Sequence, residues 1–550
     1  MEQSIREKCE KRLADLKSER SPWDSDAREL ADHIQPGMGR FNATDRNQRG
    51  RRRGKIIDAT GSESLRVMAS GMHAGITSPA RPWFRLTLAD RDLMEFGPVK
   101  AWLYDVERRM REILQKSNVY NALHGSYAEI GLFGTSATAF IEDWRSGINA
   151  VPMTWGEWWT GIGADGMADT LYRESQWSVG QVVERFGAAA CSRTVQNLYD
   201  RGNVGAPVIV CHAMEPRRDR DPRRLDGRNK RWRSVYWEQG ADRDRVLREA
   251  GYNSFPATVP RWEVTSNDTY GSFWPAFDAL GDIKQLQVQQ LRKAEALDKK
   301  VRPPMVASAE LANKHATLVP GGITYVNPTT GFQGFQPAYQ VNIDLREMLQ
   351  DMDETRMRIR RTFYADLFMM ISQSDGRMTA TEVIERREEK MLGLGPVLER
   401  LHKELLAPLI DRLFEIMQVR GLLPPPPDEI QNTPISVDFI SILAQALKQM
   451  STASIERVIG VVGNMAAANP EVLDKIDFDQ TVDEYADMVG APPRMIRPDD
   501  VVAEIRERRA QQQQAAQAVA LANEGAQAAK VLSETDTRTP SALTAMLGIG

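Results

Sequence analysis

Cysteine is scarce in this chain of 550 residues, which holds only Cys9, Cys191 and Cys211. An odd number of widely scattered cysteines cannot supply the paired framework of a disulfide-stabilised secreted domain, so we expect reduced thiols. No apolar run reaches the roughly 18 residues needed to cross a bilayer, and the first residues are charged where a signal peptide requires an apolar core. We therefore expect neither a secreted protein nor a membrane protein.

An excess of charge of one sign is also missing. Lys+Arg number 71 and Asp+Glu number 75, which gives a formal net charge of −4. This balance argues against a protein that grips nucleic acid over its whole surface, so any DNA contact should be local. The length is well above the roughly 100–200 residues of one domain, and it predicts several domains or one elongated subunit.

The sequence signatures of common enzyme sites are absent. No G-x-x-x-x-G-K-[ST] phosphate loop and no G-x-S-x-G nucleophile elbow occurs, and the histidines are isolated from one another. Gly161-Ile-Gly163-Ala-Asp-Gly166 matches G-x-G-x-x-G but lacks the preceding apolar strand, so it predicts a hairpin turn. Cys211-His212 lies in an apolar extended run that favours core packing over metal ligation. We expect no catalytic residue, no metal and no cofactor.

Residues 1–277 mix helix and strand patterns without a βαβ rhythm. Thr60-Gly-Ser-Glu63 matches a capping box that opens a helix, Trp83 to Leu88 alternates like a half-buried strand, and Pro98 opens a further helix. Short strands are predicted at 136–142, 168–174, 206–214, 231–238 and 261–265. Together these patterns predict an α+β region with mostly antiparallel strands.

Long helices dominate beyond this region. Apolar residues at helical spacing predict one helix from about 279 to 301 and a second from about Ile343 to Ile371. The segment between them, 302–341, is rich in Gly, Pro, Thr and aromatic residues and almost free of charge. Such a segment at the tip of a helical hairpin suggests an interface.

The second of these helices changes from acidic to basic along its length. Asp351 and Asp353 belong to the acidic half, and Arg356, Arg358 and Arg360 belong to the basic half. This polarity suits side-by-side packing of identical copies, although an isolated solvated helix explains it too. We predict these five residues as a subunit interface.

A tight turn is predicted at 372–378, after the second long helix. A capping-box pattern at Thr379 then opens a third long helical stretch, which is bent near Pro408. The remainder is predicted as shorter helices. After Arg509 the chain is Gln and Ala-rich and is predicted as a helix that frays toward its end.

The order and spacing of several short motifs carry a family resemblance. They are Asp58-Ala-Thr-Gly61, Met68-Ala-Ser-Gly-Met72, Thr77-Ser-Pro-Ala-Arg-Pro-Trp-Phe84, Ser117-Asn118, Gly131-Leu-Phe-Gly-Thr135, Tyr270-Gly271, Gly281-Asp-Ile-Lys284, Thr379-Ala-Thr-Glu-Val383 and Gly421 before a proline run. In these residues the chain resembles the portal, or head-to-tail connector, proteins of short-tailed bacteriophages. The resemblance covers nearly the whole chain, apart from the tail after about residue 510.

The resemblance implies an elongated, ring-forming subunit with named parts. They are a wing (1–277 with the long helix 379–428), two stem helices (278–301 and 342–371), a clip (302–341), a tunnel loop (372–378), a helical crown (429–510) and a C-terminal tail (511–550). The ring, usually a dodecamer, would occupy one capsid vertex and pass double-stranded DNA during packaging and ejection. The resemblance also implies that the protein is located in the virion, and in the host cytoplasm during assembly.

The resemblance also implies partners and sites. The partners are further copies of the chain, the terminase packaging motor, tail adaptor proteins, and the major capsid and scaffolding proteins. In the clip, Tyr325, Phe332, Phe335 and Tyr339 are the predicted anchors, unless they pack only against a neighbouring clip. In the tunnel loop, Ser374, Asp375 and Arg377 are predicted to face DNA, unless Arg377 simply pairs with Asp375.

Two other classes of function stay open at this point. A packaging nuclease or ATPase would need a phosphate-loop lysine and an ordered acidic cluster, which the sequence lacks. An internal virion or scaffold protein without a channel is the other alternative. Electron microscopy of the purified chain would discriminate among all three classes.

Overall fold

The computed structural model describes residues 4–41, 55–90, 93–94, 96–224, 226–241, 245–302, 305–306, 336–337, 345–372, 393–430, 433–440, 458–466, 470–489, 497 and 499–534. The chain divides into two compact units. The larger unit comprises residues 1–85, 106–424 and 437–454, and the smaller comprises 86–105, 425–436 and 455–550. Both helices and antiparallel sheets are present, as the sequence predicts.

Helices dominate the first elements of the chain. In chain order these are α1 (Ile5–His33), α2 (Thr60–Ile76), β1 (Phe84–Leu88), α3 (Gly97–Lys116) and α4 (Val119–Phe133). The capping box predicted at Thr60 is wrong, because Ala59 is the N-cap of α2 and makes no side-chain bond. Thr60 is already in the first turn, and its backbone N and its hydroxyl donate to Asp58 Oδ1 at 3.0 and 2.5 Å. A true capping box, which we did not predict, opens α1 at Ser4 and Glu7.

Among the described residues of the larger unit, two antiparallel sheets have three or more strands. Their strands are β2 (Ala137–Asp143), β3 (Gly147–Met153), β4 (Trp158–Ile162), β5 (Ala168–Ser178), β6 (Pro207–Pro216), β7 (Trp232–Glu238), β8 (Arg248–Tyr252) and β9 (Ala257–Thr258). The strand orders are β3-β2-β9 and β4-β5-β6-β7-β8. The strand predicted at 261–265 is wrong, since Arg261 and Glu263 form only isolated bridges.

The β4–β5 connection confirms the predicted hairpin turn. Gly163 N donates to Met167 O at 2.8 Å, and Gly166 has a φ of 74°, a left-handed conformation that glycine adopts without strain. The glycine-rich match is therefore a turn between paired strands. It is not a phosphate-binding loop that opens a helix.

The five-stranded sheet is covered by helices on both faces. On one face α1 contributes Cys9, Leu13 and Leu16, which pack on Trp159, Tyr172, Cys211, Ala213, Val235 and Trp237. On the other face, α5 (Val179–Phe186) and α6 (Arg193–Asp200) pack over Val210 and Tyr236. The predicted core packing of Cys211 and His212 is confirmed, because both are buried on β6. Successive strand residues point to opposite faces, so the two side chains enter different cores.

The long helices differ in one respect from the prediction. The first, α7, spans Pro275–Val301, but the second is broken into α8 (Arg346–Thr362) and α9 (Ala365–Ser372). The break lies at Tyr364, whose φ is +53°. A left-handed residue cannot continue a right-handed helix, so the single helix predicted over 342–371 is wrong.

The later part of the chain combines helices with one unexpected strand. The helical stretch described from residue 393 consists of α10 (Gly395–Leu401), a π-helical turn at His402–Leu406, and α11 (Ala407–Val419). The irregular turn lies just before Pro408, which has no N–H to donate. A strand, Ile435–Phe439, pairs with β1 within the region predicted to be a helical crown.

The smaller unit contains the end of the described chain. Residues 458–466 are helical, and α12 (Phe478–Val489) and α13 (Asp499–Glu534) follow. The predicted Gln and Ala-rich helix is confirmed as far as Glu534. Among the described helices, none is long and apolar enough to cross a membrane.

Candidate functional site

Helices α7 and α8 pack against each other and form the candidate site. Their buried side chains include Ala276, Ala279, Ile283 and Leu286 of α7 and Met352, Thr355 and Ile359 of α8. These positions recur every three or four residues, so each helix buries one stripe. The opposite stripes are left for solvent or for a partner.

Apolar side chains are also exposed along both helices, and we refer to these positions together as the α7–α8 surface. It consists of Val288, Leu291, Leu297, Val301, Leu349 and Met357, all of them exposed. Val301 is 75% exposed, and Val288 and Met357 are each 57% exposed. The described part of the chain leaves these side chains uncovered. Exposed apolar side chains on two packed helices mark a candidate contact surface.

Arg356 connects α8 to the start of α2. Its Nη2 and Nε donate to Asp58 Oδ2 at 2.8 and 3.2 Å, and its Nη1 donates to Asp353 Oδ1 at 2.7 Å. Burial by itself raises the pKa of Asp58, but the hydrogen bonds from Thr60 and Arg356 outweigh it and lower that pKa. Asp58 therefore stays ionised and holds α8 in place.

The other predicted interface residues connect α8 to α7 or face solvent. Arg358 Nη2 donates to Asp282 Oδ1 at 3.0 Å, and Asp351 accepts a hydrogen bond from Gln289. Arg360 is exposed and has no partner in the part of the chain that the structure describes. Four of the five residues thus bind within this chain, and their contact with a second subunit stays a prediction.

Gln287 is a positioning residue that no sequence pattern marks. Its Oε1 accepts hydrogen bonds from the backbone N of Ile57 and Asp58 at 2.6 and 2.8 Å, and its Nε2 donates to Asp58 O at 2.8 Å. Gly61, three residues after Asp58, packs closely on the same helix, because a Cβ there would lie 2.9 Å from Ile283 Cδ1. In the sequence, the Asp58-Ala-Thr-Gly61 motif is the feature that points to Gln287, because this motif is the segment that packs on α7.

The motifs Gly131-Leu-Phe-Gly-Thr135 and Tyr270-Gly271 also occupy close-packed positions. Gly134 ends α4 with a φ of 73°, and Thr135 Oγ1 accepts a hydrogen bond from Gly271 N at 2.9 Å. A Cβ on Gly271 would lie 2.6 Å from Gly134 O. The two motifs, far apart in sequence, therefore meet at one point where only glycine fits.

Two predicted sites lie outside the described residues. They are the tunnel-loop residues Ser374, Asp375 and Arg377, and the clip residues Tyr325, Phe332, Phe335 and Tyr339. Of the segment 302–341, the structure describes a short antiparallel ladder in which Met305 pairs with Pro337 and Val306 with Gln336. Its two ends therefore meet.

His212 is a buried histidine whose two ring nitrogens both contact neighbouring side chains. Arg173 Nε donates to His212 Nδ1 at 3.1 Å, the ring stacks on Tyr236 at 3.7 Å, and Nε2 contacts Ser234 Oγ at 2.9 Å. Burial, together with the charge of Arg173, holds the pKa of His212 well below its ordinary value. No group of three or more potential metal ligands occurs among the described residues.

Comparison with known proteins gives a consistent result. The family model described as bacteriophage head to tail connecting protein matches residues 6–496. A probable portal protein of Bordetella phage BPP-1 is 48% identical over 544 residues, which cover 99% of this chain and 98% of that protein. The portal protein of Salmonella phage epsilon15 is 45% identical over 547 residues, with the same coverage of 99% and 98%. Among solved structures, a chain of the virion of a native gene transfer agent (GTA) particle has a TM-score of 0.37 at 12% identity, over 79% of this chain and 90% of that one.

Proposed function

This chain belongs to the bacteriophage head to tail connecting protein family, and from that premise we propose that it is the portal protein of a phage. As such it forms part of the virion and connects the capsid vertex to the tail. The observation that carries this function is the 45–48% identity to two phage portal proteins over 99% of the chain.

The first step is a closed ring built from identical subunits. Repetition of one heterologous contact closes a ring when the rotation permits, so one kind of contact between two different faces of the subunit can produce a channel. The α7–α8 surface supports this step, since its side chains Val288 and Leu291 are exposed and would gain free energy by burial against a neighbour. Twelve copies are the family's usual number.

Electron microscopy of the purified chain tests the ring. We expect closed rings with an axial hole wide enough for duplex DNA. The double variant Val288→Asp and Leu291→Asp should shift the population toward monomers, because it places charges in a desolvated contact. Val204→Asp is the matched control, because Val204 is a comparably exposed valine outside the α7–α8 surface. A strictly monomeric wild-type chain in sedimentation would contradict the ring.

The second step concerns DNA in the channel. Arg377, with Asp375 and Ser374 in the same turn, would present one cation per subunit to passing phosphates. Each contact of this kind is sequence-independent and weak enough to break as DNA moves. The near-neutral charge of the chain suits this role, since a strongly basic channel would retain DNA.

Arg377→Ala tests the DNA contact. Ring assembly should be unchanged while DNA retention or packaging yield falls, and Arg377→Lys should restore most of the loss because it keeps the charge. Normal retention in the alanine variant would show that Arg377 only pairs with a neighbouring carboxylate.

The third step is attachment of partners at segment 302–341. Terminase and then the tail adaptor would bind there through Tyr325, Phe332, Phe335 and Tyr339, while the capsid and scaffolding proteins surround the ring during assembly in the host cytoplasm. Phe332→Ala with Phe335→Ala should leave rings intact and prevent tail attachment. Broken rings would mean that these aromatics pack only between neighbouring copies.

The chain would have no enzymatic activity of its own. Purified rings should hydrolyse neither ATP nor DNA, because the sequence has no phosphate loop and the described residues hold no cluster of metal ligands. ATP or DNA hydrolysis that purifies with the ring and disappears on a point substitution in this chain would overturn this proposal. Rings that lack an open channel would favour an internal virion or scaffold protein.

A further inference from the structure

The tip of the β2–β3 hairpin presents a tryptophan to solvent. Trp144 is 93% exposed, although β2 and β3 on either side of it are paired over their whole length. Burial of a tryptophan contributes to stability only where the ring leaves water, so burial within this chain gives no reason for an indole at this position.

The turn that carries Trp144 is held firmly. The Asp143 carboxylate accepts hydrogen bonds from Arg145 N at 3.2 Å, from Ser146 N at 2.8 Å and from the Ser146 hydroxyl at 2.7 Å. These bonds, those from Ser146 first, lower the pKa of Asp143. Gly147 closes the turn with a φ of 87°. The Asp143 carboxylate therefore accepts its hydrogen bonds from residues of the turn itself.

Arg420, at the end of α11, fixes the orientation of the indole. Its guanidinium lies over the Trp144 ring, 5.0 Å from the centroid, and its Nη1 donates to Asp143 O at 2.7 Å. A ring held by a turn and a cation loses little freedom when a partner binds. Pre-organisation of this kind lowers the entropic cost of association.

Apolar and cationic side chains accompany the indole. On either side of Arg420 in the chain, Val419 is 64% exposed and Leu422 is 40% exposed. Arg145 is exposed beside Trp144 in the turn. We call Trp144, Arg145, Val419, Arg420 and Leu422 the Trp144 surface. All five belong to the larger unit.

We propose that the Trp144 surface docks an acidic segment, bearing apolar side chains, of another protein in the particle. Tryptophan and arginine are the residues that most often dominate binding energy at protein interfaces, and Val419 and Leu422, exposed near Arg420 in the chain, would add apolar contact area. The two arginines select a partner of opposite charge. A nucleic acid would also meet the arginines, but it would gain nothing from the two aliphatic side chains. This surface shares no residue with the α7–α8 surface, and the proposal rests on the proposed place of the chain in the virion.

Photocrosslinking in assembled virions tests the proposal. With p-benzoylphenylalanine at position 144, irradiation should join the chain to a different virion protein, and mass spectrometry should place the link in a segment of net negative charge. The same amino acid at position 199 is the control, because Tyr199 is also exposed but lies on α6. A link to a second copy of this chain, to DNA or to a basic segment would overturn the proposal, as would the absence of any link.

Substitutions supply a second, independent readout. Trp144→Ala removes a side chain that contacts mainly solvent, so folding and ring formation should be unchanged while virion yield falls about tenfold or more. Arg145→Glu should lower the yield in the same direction, whereas Arg145→Lys should not. A variant that loses its rings would place the surface between copies and overturn the proposal. Absence of rings in the wild type would instead count against the portal function.

Discussion

Arg261 and Glu404 form a buried ion pair, with Nη2 2.7 Å from Oε1, Nε 3.2 Å from Oε2 and both side chains 4% exposed. The backbone N of Arg261 also donates to Glu404 Oε2 at 3.0 Å. Glu404 belongs to the π-helical turn between α10 and α11, and Arg261 lies between β9 and α7. The pair therefore fastens the late helix to the segment that leads into α7.

Glu404→Gln should destabilise the chain by about 3–5 kcal/mol, since it leaves the Arg261 guanidinium buried without a counter-charge. The midpoint of urea unfolding measures this change. Arg400→Ala is the control: Arg400 contacts the same carboxylate at 3.0 Å but is 33% exposed. That substitution should cost less than about 1 kcal/mol. Equal effects of the two variants would argue against the special role of the buried pair.

Glu129 should make stability fall as the pH rises. Its carboxyl group accepts hydrogen bonds from the Thr154 hydroxyl at 2.6 Å and Trp155 N at 3.3 Å, and burial raises its pKa from 4.5 to about 8. The folded state therefore binds a proton that the unfolded state releases above pH 4.5. Below pH 4.5 the contribution of Glu129 to the free energy of unfolding is fully present. Between pH 4.5 and about pH 8 this contribution is lost, by at most about 1.4 kcal/mol for each pH unit.

Glu129→Gln should remove this component of the pH dependence. Thermal unfolding between pH 5 and 9 should give a flatter profile than the wild type, with the largest gain in stability at the alkaline end. Identical slopes for the two proteins would show that Glu129 is ionised in the folded state throughout this range.

Gly71→Ala should separate α9 from α2. A Cβ at this position would lie 2.2 Å from Phe368 Cγ, so the aromatic ring must move, at a cost of about 1–3 kcal/mol. Gly125→Ala in α4 is the matched control, because no atom lies within 4 Å of its Cβ. That variant should gain about 0.5–1 kcal/mol from the higher helix propensity of alanine. Urea unfolding should show a lower free energy of unfolding for Gly71→Ala and a higher one for Gly125→Ala. If both variants were stabilised, the predicted overlap between the new Cβ and Phe368 would be wrong.

All three thiols should resist modification in the native chain. Cys9, Cys191 and Cys211 are free and buried, and burial raises the pKa of Cys9 and of Cys211 to about 12. Because the thiolate is the reactive form, a disulfide reagent at pH 8 should react at least about a thousandfold more slowly with these two than with the unfolded chain. Rapid titration of either thiol without denaturant would contradict the buried positions.

Local patterns in the sequence determined much of the fold. Apolar spacing predicted α7, alternation predicted β1, and the glycines of 161–166 predicted the turn between β4 and β5. Each of these features depends on neighbours within a few residues, so its physical cause is contained in the local sequence. The family, too, followed from the order of short motifs along the chain.

Only the tertiary structure decided how these elements are joined. Tyr364 breaks the predicted helix, although nothing beside it in sequence forbids a helical conformation. Arg356, predicted to contact a second subunit, donates to Asp58, 298 residues away, and Arg261 pairs with Glu404, 143 residues away. An arginine on an exposed-looking helix can pair with any carboxylate that folding brings within reach. That choice depends on burial and distance in three dimensions, which the spacing of residues along the chain does not encode.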